Sequence, residues 1–102
     1  MKELNLNKAL SKALDLHRNG SLDKADEIYL EILKNNPNDF DSNHLHGVVL
    51  AQKKDYQASI NYYEKAYKIN KSNCELLNNY GISLKNLKEY DKSINILNNI
   101  IL

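Results

Sequence analysis

The chain has 102 residues, 42% of them hydrophobic, and its 14 Lys and Arg nearly balance 13 Asp and Glu for a net charge of +1. One domain fits in that length, and near-neutrality excludes the large basic excess on which polyanion binding rests, so nucleic acid is not an expected partner. With 3 Gly, 1 Pro and 1 Cys, the turn residues of a small β-sandwich and the cysteines of a disulfide framework are both missing.

The first apolar period runs through Leu6, Leu10, Ala13 and Leu16 and predicts a helix over 3–18, ended at Asn19-Gly20-Ser21. A second helix is expected over 22–35. It stops at Asn35-Asn36-Pro37, because Pro37 has no N–H and disfavours helix at the residue before it. A third, over 39–52, carries Leu45, Val48 and Val49 at i, i+3, i+4 spacing. The fourth, over 56–69, has Tyr56, Ile60, Tyr63 and Tyr67 on one stripe. A fifth over 73–86 follows Asn70-Lys71-Ser72-Asn73, where Ser72 or Asn73 is placed to cap it. The sixth is expected over 89–102.

These segments repeat. Positions 13, 47 and 81 differ by 34 and hold Ala, Gly and Gly; 16, 50 and 84 are all Leu; 25, 59 and 93 are Ala, Ser and Ser; 29, 63 and 97 are Tyr, Tyr and Leu. No gap is needed. The copies run over 6–39, 40–73 and 74–102, the last incomplete, within one domain of residues 1–102. Self-similarity at such a period signals stacked supersecondary units. Small residues at 47 and 81 imply that paired helices approach closely, since mid-helix Gly costs about 1 kcal/mol relative to Ala. The expected partners across the contact are Tyr56, Tyr63 and Tyr90. Lys54 and Lys88 stand where Gly20 stands in the first turn, and bear strain if that position is left-handed.

The pattern resembles the tetratricopeptide repeat, W-x2-L-G-x2-Y, then A-x3-F, then P. The third copy has Leu77, Tyr80, Gly81, Leu84, Ser93 and Leu97; the second has Asn43, His46, Gly47, Leu50, Ser59 and Tyr63; the first has Ala9, Lys12, Ala13, Leu16, Ala25, Tyr29 and Pro37. The Trp slot is never Trp, and Lys12 places a charge where later copies are apolar or aromatic. The resemblance implies an all-α fold, an α-solenoid of three helix-turn-helix repeats in a right-handed superhelix.

Little here suggests catalysis. His44 and His46 are two apart and point about 200° from one another on a helix, so they do not share a metal. One is expected to be buried near Gly47 and the other exposed. Cys74 is expected to pack between repeats. No Gly-rich phosphate loop and no nucleophile–base pair is present, so no enzyme activity, cofactor or metal is expected. The longest apolar run, Val48-Val49-Leu50-Ala51, is far below the roughly 18 residues of a membrane helix. Met1-Lys2-Glu3-Leu4-Asn5 lacks a signal-peptide core, and a cytoplasmic protein without membrane contact is the expectation.

The resemblance implies a concave groove lined by the first helix of each repeat, taking a peptide or partner helix. Its expected wall is Leu10, Leu14, His17 and Arg18, then Asp41, His44, Val48 and Gln52, then Glu75, Asn78, Asn79, Ile82, Lys85 and Asn86. Leu10 and Leu14 take the places where chaperone-binding members have their carboxylate-clamp residues, so that clamp is not expected. The chain also resembles the repeats ahead of bacterial glycosyltransferase or sulfotransferase domains, which offers the alternative of a substrate-recognition segment of a larger enzyme. Of the inner-face Asn slots in those relatives, only Asn79 matches; Ser11 and Leu45 do not. Ile94, Leu97, Ile100 and Ile101 are expected to pack partly on the fifth helix and leave apolar surface for self-association through the C-terminal helix.

Overall fold

The computed structural model describes the backbone of residues 2–101 and the side chains of residues 5–100. Six helices follow one another: α1 (Lys2–Arg18), α2 (Leu22–Asn35), α3 (Phe40–Gln52), α4 (Tyr56–Ile69), α5 (Cys74–Asn86) and α6 (Tyr90–Ile101). The described residues contain no strand, and none of their helices is long and apolar enough to cross a membrane. The expected spans hold to within one residue, apart from Leu102, which lies outside the described residues.

The ends have local causes. Asp39 Oδ2 accepts from the Ser42 N–H at 2.9 Å and opens α3. Asp55 Oδ1 accepts from Ala58 N–H at 3.3 Å, and Asn73 Oδ1, rather than Ser72, accepts from Leu76 N–H at 2.8 Å. Each satisfies a donor that the first turn leaves without a partner. Within each pair the turn is the same. Ser21, Asp55 and Glu89 donate their N–H groups to the carbonyls of Leu16, Leu50 and Leu84 at 2.8, 2.9 and 2.9 Å. Gly20, Lys54 and Lys88 donate to His17, Ala51 and Lys85. These paired bonds make a Schellman motif, whose central residue is left-handed. Gly20 sits at φ +86°, and Lys54 and Lys88 take 67° and 65°. Two of the three turns therefore use lysine where glycine carries no Cβ penalty.

Each first helix packs antiparallel on its own second helix, and α2 packs on α3 as α4 does on α5. Ala13, Ala25, Tyr29 and Val49 form one buried cluster; Ile60, Tyr63, Ala66, Leu76, Tyr80 and Leu84 form another. Both clusters cross a pair boundary, so the core runs along the stack, as it must when no single pair buries its own apolar face. A Cβ built on Gly47 would stand 2.6 Å from Tyr63 Cε1, and one on Gly81 would stand 2.5 Å from Leu97 Cδ2. The close approach is present, and Tyr63 is the partner at Gly47. At Gly81 it is Leu97 rather than Tyr90, which is 55% exposed. Residue 97 is the 34-residue equivalent of 63, whereas Tyr90 opens α6 on its outer side.

Both histidines of α3 are buried, at 4% and 5% exposure, against the expectation of one exposed neighbour. The cause is the place of α3, which packs on α2, α4 and α5 and so has two buried faces. His46 Nδ1 meets Asp26 Oδ1 at 2.5 Å across the first pair boundary, and its ring stands edge-on to Tyr62. Cys74, expected between repeats, is exposed. Ile94 is 56% exposed and contributes little to the α5 contact that Leu97 makes. Ile101, expected in that contact, lies outside the described side chains. The molecule measures 43 × 25 × 20 Å.

Candidate functional site

α1, α3 and α5 stand in a row. α3 touches α5 directly, whereas packing of α2 on α4 or of α4 on α6 is at most marginal. Packing of α1 on α3 is at most marginal as well, so it is between the second and third pairs that the first helices are the closer set, as on the inner side of a solenoid of this kind.

Side chains tie this row together. His17 Nε2 lies 2.8 Å from Gln52 Oε1, joining α1 to α3, and His17 Nδ1 lies 3.0 Å from Tyr29 Oη. Because the Gln52 oxygen only accepts, the ring proton is assigned to Nε2, and the Tyr29 hydroxyl donates to Nδ1. Burial, with Asp26 nearby, pushes the Tyr29 pKa up to about 12, so it keeps the proton it donates. Between α3 and α5 the arrangement inverts. Asn79 Nδ2 donates to His44 Nε2 at 3.0 Å, which assigns the His44 proton to Nδ1. Desolvation holds the His44 pKa below its ordinary value, opposed by the carboxylates of Glu75 and Asp41.

These bridges locate the rest. Leu14 is one turn from His17, Val48 one turn from both His44 and Gln52, and Ile82 one turn from Asn79. The three are 34 apart and form an apolar line across the row, half-buried at Leu14 and Val48 and exposed at Ile82. Leu10, half-buried, extends it one turn along α1. Asp41 and Glu75 stand exposed in the first turns of α3 and α5, with Asn78 one turn beyond Glu75. Burial first, then the neighbouring Asp39, raises the Asp41 carboxyl pKa above its ordinary value, while His44 acts in the opposite sense. Arg18, Lys85 and Asn86 stand exposed at the other ends of α1 and α5. Arg18 reaches Asp15 only at 3.9 Å, and Asn86 Nδ2 is taken up by the Ile82 carbonyl.

The residues expected to form the wall thus stand on three successive first helices, and two of them have settings of their own. His44 is a buried support beneath the surface. Gln52, although exposed, is committed to His17. The sequence reading missed Tyr29 as the group that orients His17, since hydroxyl-to-ring bonds between helices leave no spacing signal. A separate depression, lined by Leu6, Ala9, Lys12, Ile28 and Glu31, opens between α1 and α2. Among the described residues, no three His, Cys, Asp or Glu side chains stand together to hold a metal ion.

Residues 40–73 match the family model described as Tetratricopeptide repeat. No curated protein matches the sequence. Among solved structures, MamA 41-end from Desulfovibrio magneticus RS-1 superposes with a TM-score of 0.83 at 21% identity, over 94% of this chain and 54% of that one. MamA from AMB-1 gives 0.82 at 20% identity over 92% and 56%, and MamA from MSR-1 gives 0.80 at 19% over 92% and 54%. The chain spans about half the length of these proteins. At that identity the likeness concerns the fold, which is an all-α solenoid of the tetratricopeptide type.

Proposed function

We propose that the chain is a protein-interaction module that takes a peptide or partner helix on its concave face. The observation that carries this reading is the apolar line Leu14–Val48–Ile82 laid across three helices whose registry is held by side-chain bridges. Apolar groups left in water at fixed spacing favour an occupant that covers them, by about 25 cal/mol per Å² buried. No group on the face is arranged for covalent chemistry. The alternative role, a recognition segment of a sugar- or sulfo-transferring enzyme, rests on Asn79, whose amide N–H is engaged by His44. Selection from a displayed library of random 12-residue peptides tests the reading. Bound peptides should lose binding to a folded Ile82→Asp variant. Peptides that bind this variant equally well would overturn it.

Self-association through α6 rests on Tyr90 and Ile94, both more than half exposed on its outer side. Residue 60, the 34-residue equivalent of 94, is 6% exposed beneath α5. Sedimentation should show a dimer that Ile94→Lys removes. A chain that sediments as a monomer at high concentration would rule it out.

A further inference from the structure

Electrostatics make the concave face asymmetric, and this identifies the chemistry of its occupant. Along one border lie Asp41 and Glu75, in the first turns of α3 and α5, and neither has an ion-pair partner among the described residues. The repeat-equivalent position in α1 is Asn7, so the border carries no basic residue there. Lys71, the cation nearest to Glu75 in sequence, lies over the Tyr67 ring on the α4 side. Asp39, behind Asp41, is occupied in capping: its Oδ2 accepts from both the Ser42 N–H and the Ser42 hydroxyl. His44 lies beneath, buried and accepting from Asn79, with a pKa held down by desolvation. It therefore supplies no compensating charge near neutral pH. The opposite border carries Arg18 and Lys85, at the C-terminal ends of α1 and α5.

The border charges are ordered by the helices themselves. Acids at N-termini and bases at C-termini complement the helix dipoles, and that complementarity alone would make the pattern a matter of stability. Asp41 departs from it. A helix N-terminus should hold a carboxyl pKa down, yet this one is raised by burial and by its like-charged neighbour. Its carboxylate stands exposed, two helical turns from Val48, with no ion-pair partner among the described residues. A cation delivered beside Val48 and Ile82 would relieve the repulsion that Asp41 feels from Asp39.

Resting on the groove reading above, we infer that the concave face takes a basic amphipathic peptide segment. Its apolar side chains cover Val48 and Ile82, and its Lys or Arg side chains lie along the Asp41–Glu75 border. The geometry is of the right scale. Seven residues separate Asp41 from Val48, and Glu75 from Ile82, which is about 10 Å along a helix axis. A helix about 10–12 Å across, seated on the apolar line, presents its flank to that border. Lysine or arginine side chains span the remainder.

The composition of the selected peptides tests this. The probe is the same displayed library of random 12-residue peptides, sorted into clones that do and do not lose binding to Ile82→Asp. Clones that depend on Ile82 should be enriched in Lys and Arg beside apolar residues. Their affinity should fall about tenfold with Asp41→Asn/Glu75→Gln, two exposed-type pairs being worth together about one decade, and the loss should shrink at high salt. Selection against Asp41→Lys/Glu75→Lys should enrich acidic peptides instead, with circular dichroism confirming that both variants are helical. Ile82-dependent clones without basic enrichment, or unaffected by the double substitution, would overturn the inference and leave the groove reading standing. An absence of Ile82-dependent clones would overturn both. Basic clones insensitive to Ile82 would also overturn it, because they bind elsewhere.

Discussion

Asn79 and His44 are joined across the boundary between the second and third helix pairs, with Asn79 Nδ2 donating to His44 Nε2 at 3.0 Å. The bond requires an unprotonated Nε2, so it selects neutral histidine. Burial acts in the same direction and lowers the pKa. The folded state therefore binds this proton less readily than the unfolded chain, whose histidines titrate near about 6.5. The stability that His44 contributes is intact above that pH and is lost as pH falls below it, at up to about 1.4 kcal/mol per unit. Thermal melts between pH 7.5 and 5.5 should show Tm falling on acidification, and His44→Gln should remove part of that fall. Asp41 acts in the opposite sense and in a more acidic window. Its raised carboxyl pKa gives a contribution that is lost as pH rises through the carboxylate range.

Gly47→Ala and Gly81→Ala should destabilise the fold even though alanine is the better helix former. The new methyl would lie within 2.7 Å of Tyr63 and Leu97 ring or methyl carbons. Overpacking of about 1–3 kcal/mol outweighs a propensity gain of about 1 kcal/mol. Leu97→Ala should rescue Gly81→Ala in part, and a double-mutant cycle by urea denaturation measures the coupling. A variant as stable as its parent would contradict the close contact.

Lys54→Gly and Lys88→Gly should stabilise the protein. Both lysines hold a left-handed φ in an intact Schellman turn. Relief of about 1 kcal/mol at each site corresponds to about 4–8 °C in Tm for a domain of this size. Calorimetry on the single and double variants checks both the sign and the additivity.

Asp26→Ala should cost about 1.5–3 kcal/mol, the range for a hydrogen bond to a charged group, because it leaves His46 buried without that partner. Asp26 faces His46 with both side chains largely out of water, at 13% and 7% exposure. Asp23, whose partner is the exposed Lys53, provides the contrast. Asp23→Ala should leave the urea midpoint unchanged, since exposed pairs contribute little. Equal losses at the two sites would show that the Asp26–His46 bond has no special weight.

Much of this molecule is written in its sequence, and for a local reason. A helix is closed by bonds four residues apart, and its ends by caps and turns, so Pro37 and Asn73 mark boundaries that are legible along the chain. The 34-residue period then transfers each feature to the next copy. It places Ala13, Gly47 and Gly81 at equivalent close approaches, and Leu14, Val48 and Ile82 on one line.

What only the tertiary structure decided concerns neighbours from different repeats. Periodicity tells which face of a helix a residue occupies, but not which side chain of another helix reaches it. His46 is buried because Asp26 of α2 and the Tyr62 ring of α4 meet it there. Gly81 is filled by Leu97 because α6 crosses it at that turn. Asp41 has no ion-pair partner among the described residues, and His44 beneath it is turned to Asn79 and held neutral by burial. Each outcome depends on desolvation and on contacts made across a helix–helix boundary, quantities that no spacing along the chain contains.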